Sequence, residues 1–176
     1  GYYVGPDDVL ASFQIGWDSN YLYIGADVLD NNFVQTTYGE DMYKGDSVEI
    51  LLDTALQYDF DKETISLDDY QFGFSPGDFN TIPPEIYLWY PTSKTGWFKT
   101  GHIAAVATET GYRIEAAIPW TTFGIKPVVD QRFGFAFAVS DNDSPGQEHQ
   151  QTMVSNVPTR FFYNPTTWGD LVLMAP

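Results

Sequence analysis

Residues 42–53, MYKGDSVEILLD, put one carboxylate where it must find a partner. A strand over Ser47, Val48, Glu49, Ile50, Leu51, Leu52 and Asp53 turns Val48, Ile50 and Leu52 to one face and Glu49 to the other. An unpaired carboxylate buried among apolar neighbours costs roughly several kcal/mol, so Glu49 must reach water or a polar partner. Tyr43 and Lys44 stand just ahead of it, and a second mixture of rings and polar groups runs through Arg160, Phe161, Phe162, Tyr163 and Asn164. Rings beside charged or amide groups suit a pyranose. Its C–H faces stack on flat side chains, and its hydroxyl rim takes charge-assisted hydrogen bonds. A third aromatic stretch, YLWYPTSKTGWF at 87–98, sets Tyr87 and Trp89 on one strand face and Leu88 and Tyr90 on the other. Core packing and an exposed platform are both open there. Exposed Trp89 and Trp97 would make the surface an extended groove.

Other chemistries have weaker signatures. Cysteine is absent, no Gly-x-Ser-x-Gly occurs, and the only histidines are His102 and His149, so an activated nucleophile has no recognisable base. With 24 acidic residues, some pair will meet the spacing of a glycoside hydrolase by accident. Zinc spacings are missing, whereas calcium takes carboxylate and carbonyl oxygens from loops. Asp141-Asn142-Asp143 and Asp30-Asn31-Asn32 are the candidates, with Asp141, Asp143 and Asp30 as ligands. Simple turn closure by short polar side chains explains both stretches equally well.

The elements that must carry these residues are strands. Short aromatic and β-branched runs fall near 9–15, 20–28, 46–53, 69–75, 85–90, 102–108, 112–118, 132–140, 150–155 and 169–174. Trp17-Asp18-Ser19-Asn20 and Glu109-Thr110-Gly111 read as hairpin turns, and PWTTFG as a single helical turn after Pro119. About ten antiparallel strands in 176 residues predict one all-β domain, a two-sheet antiparallel β-sandwich of jelly-roll or immunoglobulin-like type. Eight lysines and arginines against 24 acids give a formal charge of −16, which repels phosphate backbones and anionic lipid, so neither nucleic acid nor a membrane surface is an expected partner. No signal-peptide pattern is visible, and no apolar run approaches the ~20 residues of a membrane span.

WDSNYLYIGADVLD, GDSVEILLD, DDYQFGF, TGYRIEAAIPW, FGFAFAVSDND and NPTTWGDLVL, in that order, resemble the family 9 carbohydrate-binding modules and the related DOMON-like sandwiches. The resemblance implies a non-catalytic module that holds the end of a glucan or xylan chain between two aromatic rings, with structural calcium and no catalytic cofactor. Carried over, one ring falls on Tyr43, the hydroxyl-binding glutamate on Glu49 and the second ring on Phe162, with Phe161 or Tyr163 as neighbours in register; Trp168 matches a structural aromatic. Two departures stand out. Both rings are tryptophan in the best-known members, and a basic residue expected after DDYQF is Gly73 here, leaving Lys44 or Arg160 to supply charge. The expectation is a monomeric module spanning 1–176, excised from a larger secreted polysaccharide-active protein and binding cellulose, xylan or their oligosaccharides. Its ligand-binding set is Tyr43, Lys44, Glu49, Trp89, Arg160, Phe162, Tyr163 and Asn164. A haem-binding relative using His102, His149, Met42 or Met153, and a protein-docking sandwich without a sugar site, are the alternatives.

Overall fold

The computed structural model describes residues 3–175 and forms a β-sandwich of two antiparallel sheets. The smaller sheet runs β1 (Val9–Trp17), β2 (Tyr21–Asp30), β8 (Gly111–Pro119), β7 (His102–Thr108). The larger runs β10 (Thr152–Ser155), β9 (Arg132–Asp141), β3 (Ser47–Asp53), β4 (Asp69–Ser75), β5 (Glu85–Tyr90), β6 (Gly96–Trp97). A last strand, β11 (Gly169–Val172), pairs with the first half of β9, beyond the end of β10. All ten anticipated strands are present, and β6 is an eleventh that two residues were too few to announce. The helical turn after Pro119 is a 3₁₀ turn at Trp120–Thr122.

Local chemistry explains the hairpins. Asp18 Oδ1 accepts the backbone N–H groups of Asn20 and Tyr21 at 2.7 and 2.8 Å, closing β1 onto β2. Gly111 opens β8 at φ +142°, and a Cβ there would strike the Val28 carbonyl, so no other residue fits. Inside the sandwich, Leu22, Ile24, Ala26 and Val28 of β2 face a large-sheet layer that includes Ile50, Phe72, Phe135 and Phe137, all in one buried cluster. Phe13 stacks on Phe137 across the gap at 4.4 Å.

The outer face of the larger sheet departs from ordinary alternation. Every residue of β3 is buried, and so is every residue of β9 after Arg132. Two coverings cause this. A 3₁₀ turn at Gly39–Lys44 packs over β4 and β5, and the 156–168 loop lies over β3 and β9. The outward residues of β9 are Gly134, Ala136, Ala138 and Ser140, small enough for a loop to approach the backbone closely. This covering shapes the surface around Glu49.

Candidate functional site

Register puts Glu49 at the centre of a rung. Tyr87 pairs with Gly73, Gly73 with Glu49, and Glu49 with Ala138, so these side chains share the outward face. Glu49 is 6% exposed and therefore needs partners. Arg160 Nη2 donates to its Oε1, and Gln71 Nε2 donates to Oε2 at 3.0 Å. The pair is buried on both sides, with 11% of the Arg160 side chain and 7% of the Glu49 side chain exposed. Burial by itself pulls the Arg160 guanidinium down, to about 10; the adjacent carboxylate acts in the opposite sense, and the group is cationic at neutral pH. Among the described residues its Nη1 meets only the Met153 sulfur, at 3.2 Å, and its buried Nε has no hydrogen-bond partner. Strong donors are thus held in place beside Glu49 with capacity to spare.

Aromatic rings flank this network. On the β4–β5 side, Tyr43 is 37% exposed and meets Trp89 edge-on at 6.2 Å. Trp89 is the extra residue of a β-bulge: Phe72 pairs with Leu88 and Gln71 with Tyr90, leaving Trp89 between them. Its indole lies over Gly73 and donates to the Glu40 carbonyl at 3.0 Å. A Cβ at position 73 would collide with that ring and lie 2.7 Å from the Met42 sulfur. Gly73, where the family resemblance leads one to expect a base, therefore makes room for Trp89, and the cation beside Glu49 arrives from the opposite side as Arg160.

On the β9 side, Phe162 packs with Leu51, Ala136 and Trp168 one rung beyond Glu49, and Tyr163 lies 3.6 Å from it, ring to ring. Phe162 is only partly exposed, whereas Phe161 and Tyr163 are 57% and 51% exposed. Two of the candidates have other engagements. Lys44 pairs with Asp41 at 2.8 Å, in place of the charge-supplying role at Glu49 considered for it. Asn164 caps the 3₁₀ turn Pro165–Thr167 by accepting from Thr166, so its carbonyl oxygen serves the turn. Gln71, a member of the Glu49 network, was missed; only cross-strand register reveals it.

The haem alternative requires its ligands to converge. His102 stands against Tyr21 on the outward side of the smaller sheet, at 5.7 Å, while Met42 is buried against Gly73 on the larger sheet. A concavity of about 590 Å3 lies between the edges of β1 and β10, with Arg160 in its lining. It is lined mainly by apolar side chains, with Ser155, Asn156 and Arg160 as polar members and no carboxylate.

Two acidic groups sit at opposite ends of β3. At its start, oxygens of Asp30, Asp46 and Asp141 lie within 4.8 Å of one another, as do those of Asp8, Asp141 and Asp143. Asp46 Oδ1 accepts from Asn142 N at 2.8 Å and Oδ2 from Val34 N. Both oxygens of the buried Asp141 and Oδ1 of Asp143 have no hydrogen-bond partner among the described residues. Burial, then neighbouring carboxylates, push Asp46 up to about 9 and Asp141 to about 7. At its end, Asp53, Asp59 and Asp68 form a second group next to buried Asp69, with Asp59 Oδ1, Asp68 Oδ2 and Asp69 Oδ1 unpartnered. None of these acids is in an ion pair among the described residues. Converging oxygen-only donors without counter-charge fit a hard cation such as calcium. The expected Asp30, Asp141 and Asp143 all belong to the first group; the second was not anticipated, because Asp53, Asp59 and Asp68 carry no local motif.

Endo-1,4-beta-xylanase A of Thermotoga maritima is 31% identical over 168 residues, covering 93% of this chain and 14% of the xylanase. Exoglucanase XynX of Acetivibrio thermocellus is 31% identical over 144 residues, covering 82% of this chain and 12% of the exoglucanase. Endo-1,4-beta-xylanase A of Thermoanaerobacterium saccharolyticum is 29% identical, over 82% of this chain and 11% of the relative. The chain thus spans 11–14% of the length of these relatives. A family 9 module from Caldicellulosiruptor kristjanssonii, solved with cellotriose, shares the fold at a TM-score of 0.70 and 23% identity, covering 96% of this chain and 76% of that one. A family 9 module from the same organism solved with glucose aligns at a TM-score of 0.70 and 24% identity, covering 96% of this chain and 78% of that one. The family model described as carbohydrate family 9 binding domain-like matches residues 3–175, and with that match over nearly its whole length the chain belongs to the family 9 carbohydrate-binding modules.

Proposed function

We propose that the outward face around Glu49 binds a pyranose of a glucan or xylan chain, or of the derived oligosaccharides, without catalysis. The observation that carries this reading is the buried Arg160–Glu49–Gln71 network, a fixed charged group on the outward face that the rings of Tyr43 and Phe162 flank. Tyr43, backed by Trp89, and Phe162 or its neighbours Phe161 and Tyr163 supply apolar faces for the sugar C–H groups. Arg160 donates to sugar hydroxyls, and Glu49 holds Arg160 in position while its remaining lone pairs accept. Relatives that are xylanases and an exoglucanase, and the neighbour solved with cellotriose, support polysaccharide as the ligand class and a secreted parent enzyme as the setting.

We further propose that calcium occupies the acidic cluster at the start of β3, where Asp141 converges with Asp30 and Asp46 and also with Asp8 and Asp143, and the Asp53, Asp59 and Asp68 group at its end, fixing both ends of β3 and hence the height of Glu49 between them. The deciding experiment is calorimetry with cello- and xylo-oligosaccharides on the native chain and on Tyr43→Ala and Phe162→Ala. Loss of binding by tenfold or more in either variant supports the assignment. Native affinity in both would move the site away from this face.

A further inference from the structure

A second concavity, about 490 Å3, opens on the other side of the Gly39–Lys44 turn, between Tyr38, Gly39, Glu40, Tyr87, Trp97 and Glu148. Trp97 is 55% exposed, yet its indole is fastened. Nε1 donates to Glu85 Oε2 at 2.8 Å, and the other oxygen of Glu85 takes the Gly39 N–H at 2.5 Å. Gly39 sits in the left-handed region at φ +61°, and a Cβ there would press on Trp97 Cζ2 at 3.0 Å. One face of the indole therefore rests on Gly39 and the Tyr87 ring meets it edge-on at 5.9 Å, while much of its surface stays open to solvent. An exposed side chain held this firmly has already lost the freedom that ligand stacking would otherwise remove.

The rings also form a continuous path. Tyr43 to Trp89, Trp89 to Tyr87 and Tyr87 to Trp97 are successive contacts of 6.2, 5.8 and 5.9 Å, leading from the Glu49 site to this concavity. Both tryptophans use the same device, an indole laid on a glycine with its N–H tied down. The exposed Tyr38 stands at the rim, and Glu40 and Glu148 offer acceptors for hydroxyl groups there. Those carboxylates disfavour a uronic acid, so the complementary ring is uncharged.

We propose that this concavity is a second saccharide subsite, in which Trp97 stacks a further neutral pyranose of the same chain held at Glu49, so that the module engages several residues of a glycan. The inference rests on the saccharide reading of the Glu49 face. Its test is calorimetry with oligosaccharides from two to six residues on the native chain, Trp97→Ala and Trp97→Phe. The indole Nε1–H resonance of Trp97 is followed in parallel in the unmodified protein. The expected result is an affinity that rises with length, a gain that Trp97→Ala lowers by between about twofold and tenfold and Trp97→Phe partly keeps. The Trp97 resonance is expected to move with the six-residue sugar and stay in place with the two-residue one. Native affinity of Trp97→Ala at every length, or an unmoved resonance, overturns the second subsite and leaves the first standing. Failure of the native chain to bind any of the sugars overturns both.

Discussion

Replacing Arg160 by methionine removes a guanidinium and keeps most of the side-chain volume. In the native protein Glu49 is 6% exposed and its carboxylate is satisfied by Arg160 and Gln71. The variant leaves it with Gln71 alone. Breaking a buried ion pair from one side costs about 3–5 kcal/mol, because the survivor is left uncompensated. Two features reduce that figure here. The Gln71 bond at 3.0 Å remains, and the change also removes a buried Nε that has no partner, itself a cost of about 1–3 kcal/mol. The expected net loss is about 2–3 kcal/mol at neutral pH. For a chain of this length that lowers Tm by about 5–10 °C. Glu49→Gln should cost a comparable amount by stranding the arginine, and the double variant should be more stable than the sum of the two losses allows, by at least about 1 kcal/mol. Denaturant titration of all four proteins measures the cycle. A loss below about 0.5 kcal/mol for Arg160→Met, or additive losses, would refute the claim that this pair is what Glu49 faces.

Calcium and pH should act together on stability. Burial raises Asp141 to about 7 in the fold, and Asp53 and Asp69, at the other end of β3, to about 6 and 7, all above their ordinary value of 3.8. Without a cation the fold therefore holds protons that the unfolded chain has released, so stability falls as pH rises from about 4 to about 7. A cation favours the ionised groups and opposes that fall. Thermal melts in chelator and in calcium should differ more at pH 7.5 than at pH 5, and an equal or reversed difference would count against cation sites there. Gly73→Ala should push the Trp89 indole off the sheet, costing about 1–3 kcal/mol and red-shifting tryptophan emission; unchanged emission and stability would mean that the ring does not rest on Gly73. Asp18→Ala should loosen the β1–β2 turn, since two backbone donors lose their acceptor, and faster hydrogen exchange at Asn20 and Tyr21 would show it.

Much of the architecture is legible from alternation and turn residues. In β2, YLYIGADVLD buries every second residue from Leu22, as a half-buried strand must. The strand β3 could be placed as easily, but not its burial on both faces, because the coverings come from the Gly39–Lys44 turn and from residues more than 100 positions away. The aromatic stretch 87–98 has one answer in the structure. Tyr87 and Trp89 point outward, Leu88 joins the core, and Trp97 is exposed on a strand of two residues. Lys44 was a reasonable source of charge from its nearness in sequence, yet a short i,i+3 pair with Asp41 satisfies it first.

What the amino-acid order alone determined is which residues would be strands, which face of each would be apolar, and that Glu49 would stand on the opposite face needing a partner. These are local properties, carried by the two-residue period of a strand and by turn chemistry. Tertiary structure decided the partner. Arg160 meets Glu49, Trp89 takes the space above Gly73, and Asp30, Asp46 and Asp141 converge at one end of β3. Strand register and loop covering bring these groups together, and both depend on the packing of the whole sandwich rather than on spacing along the chain.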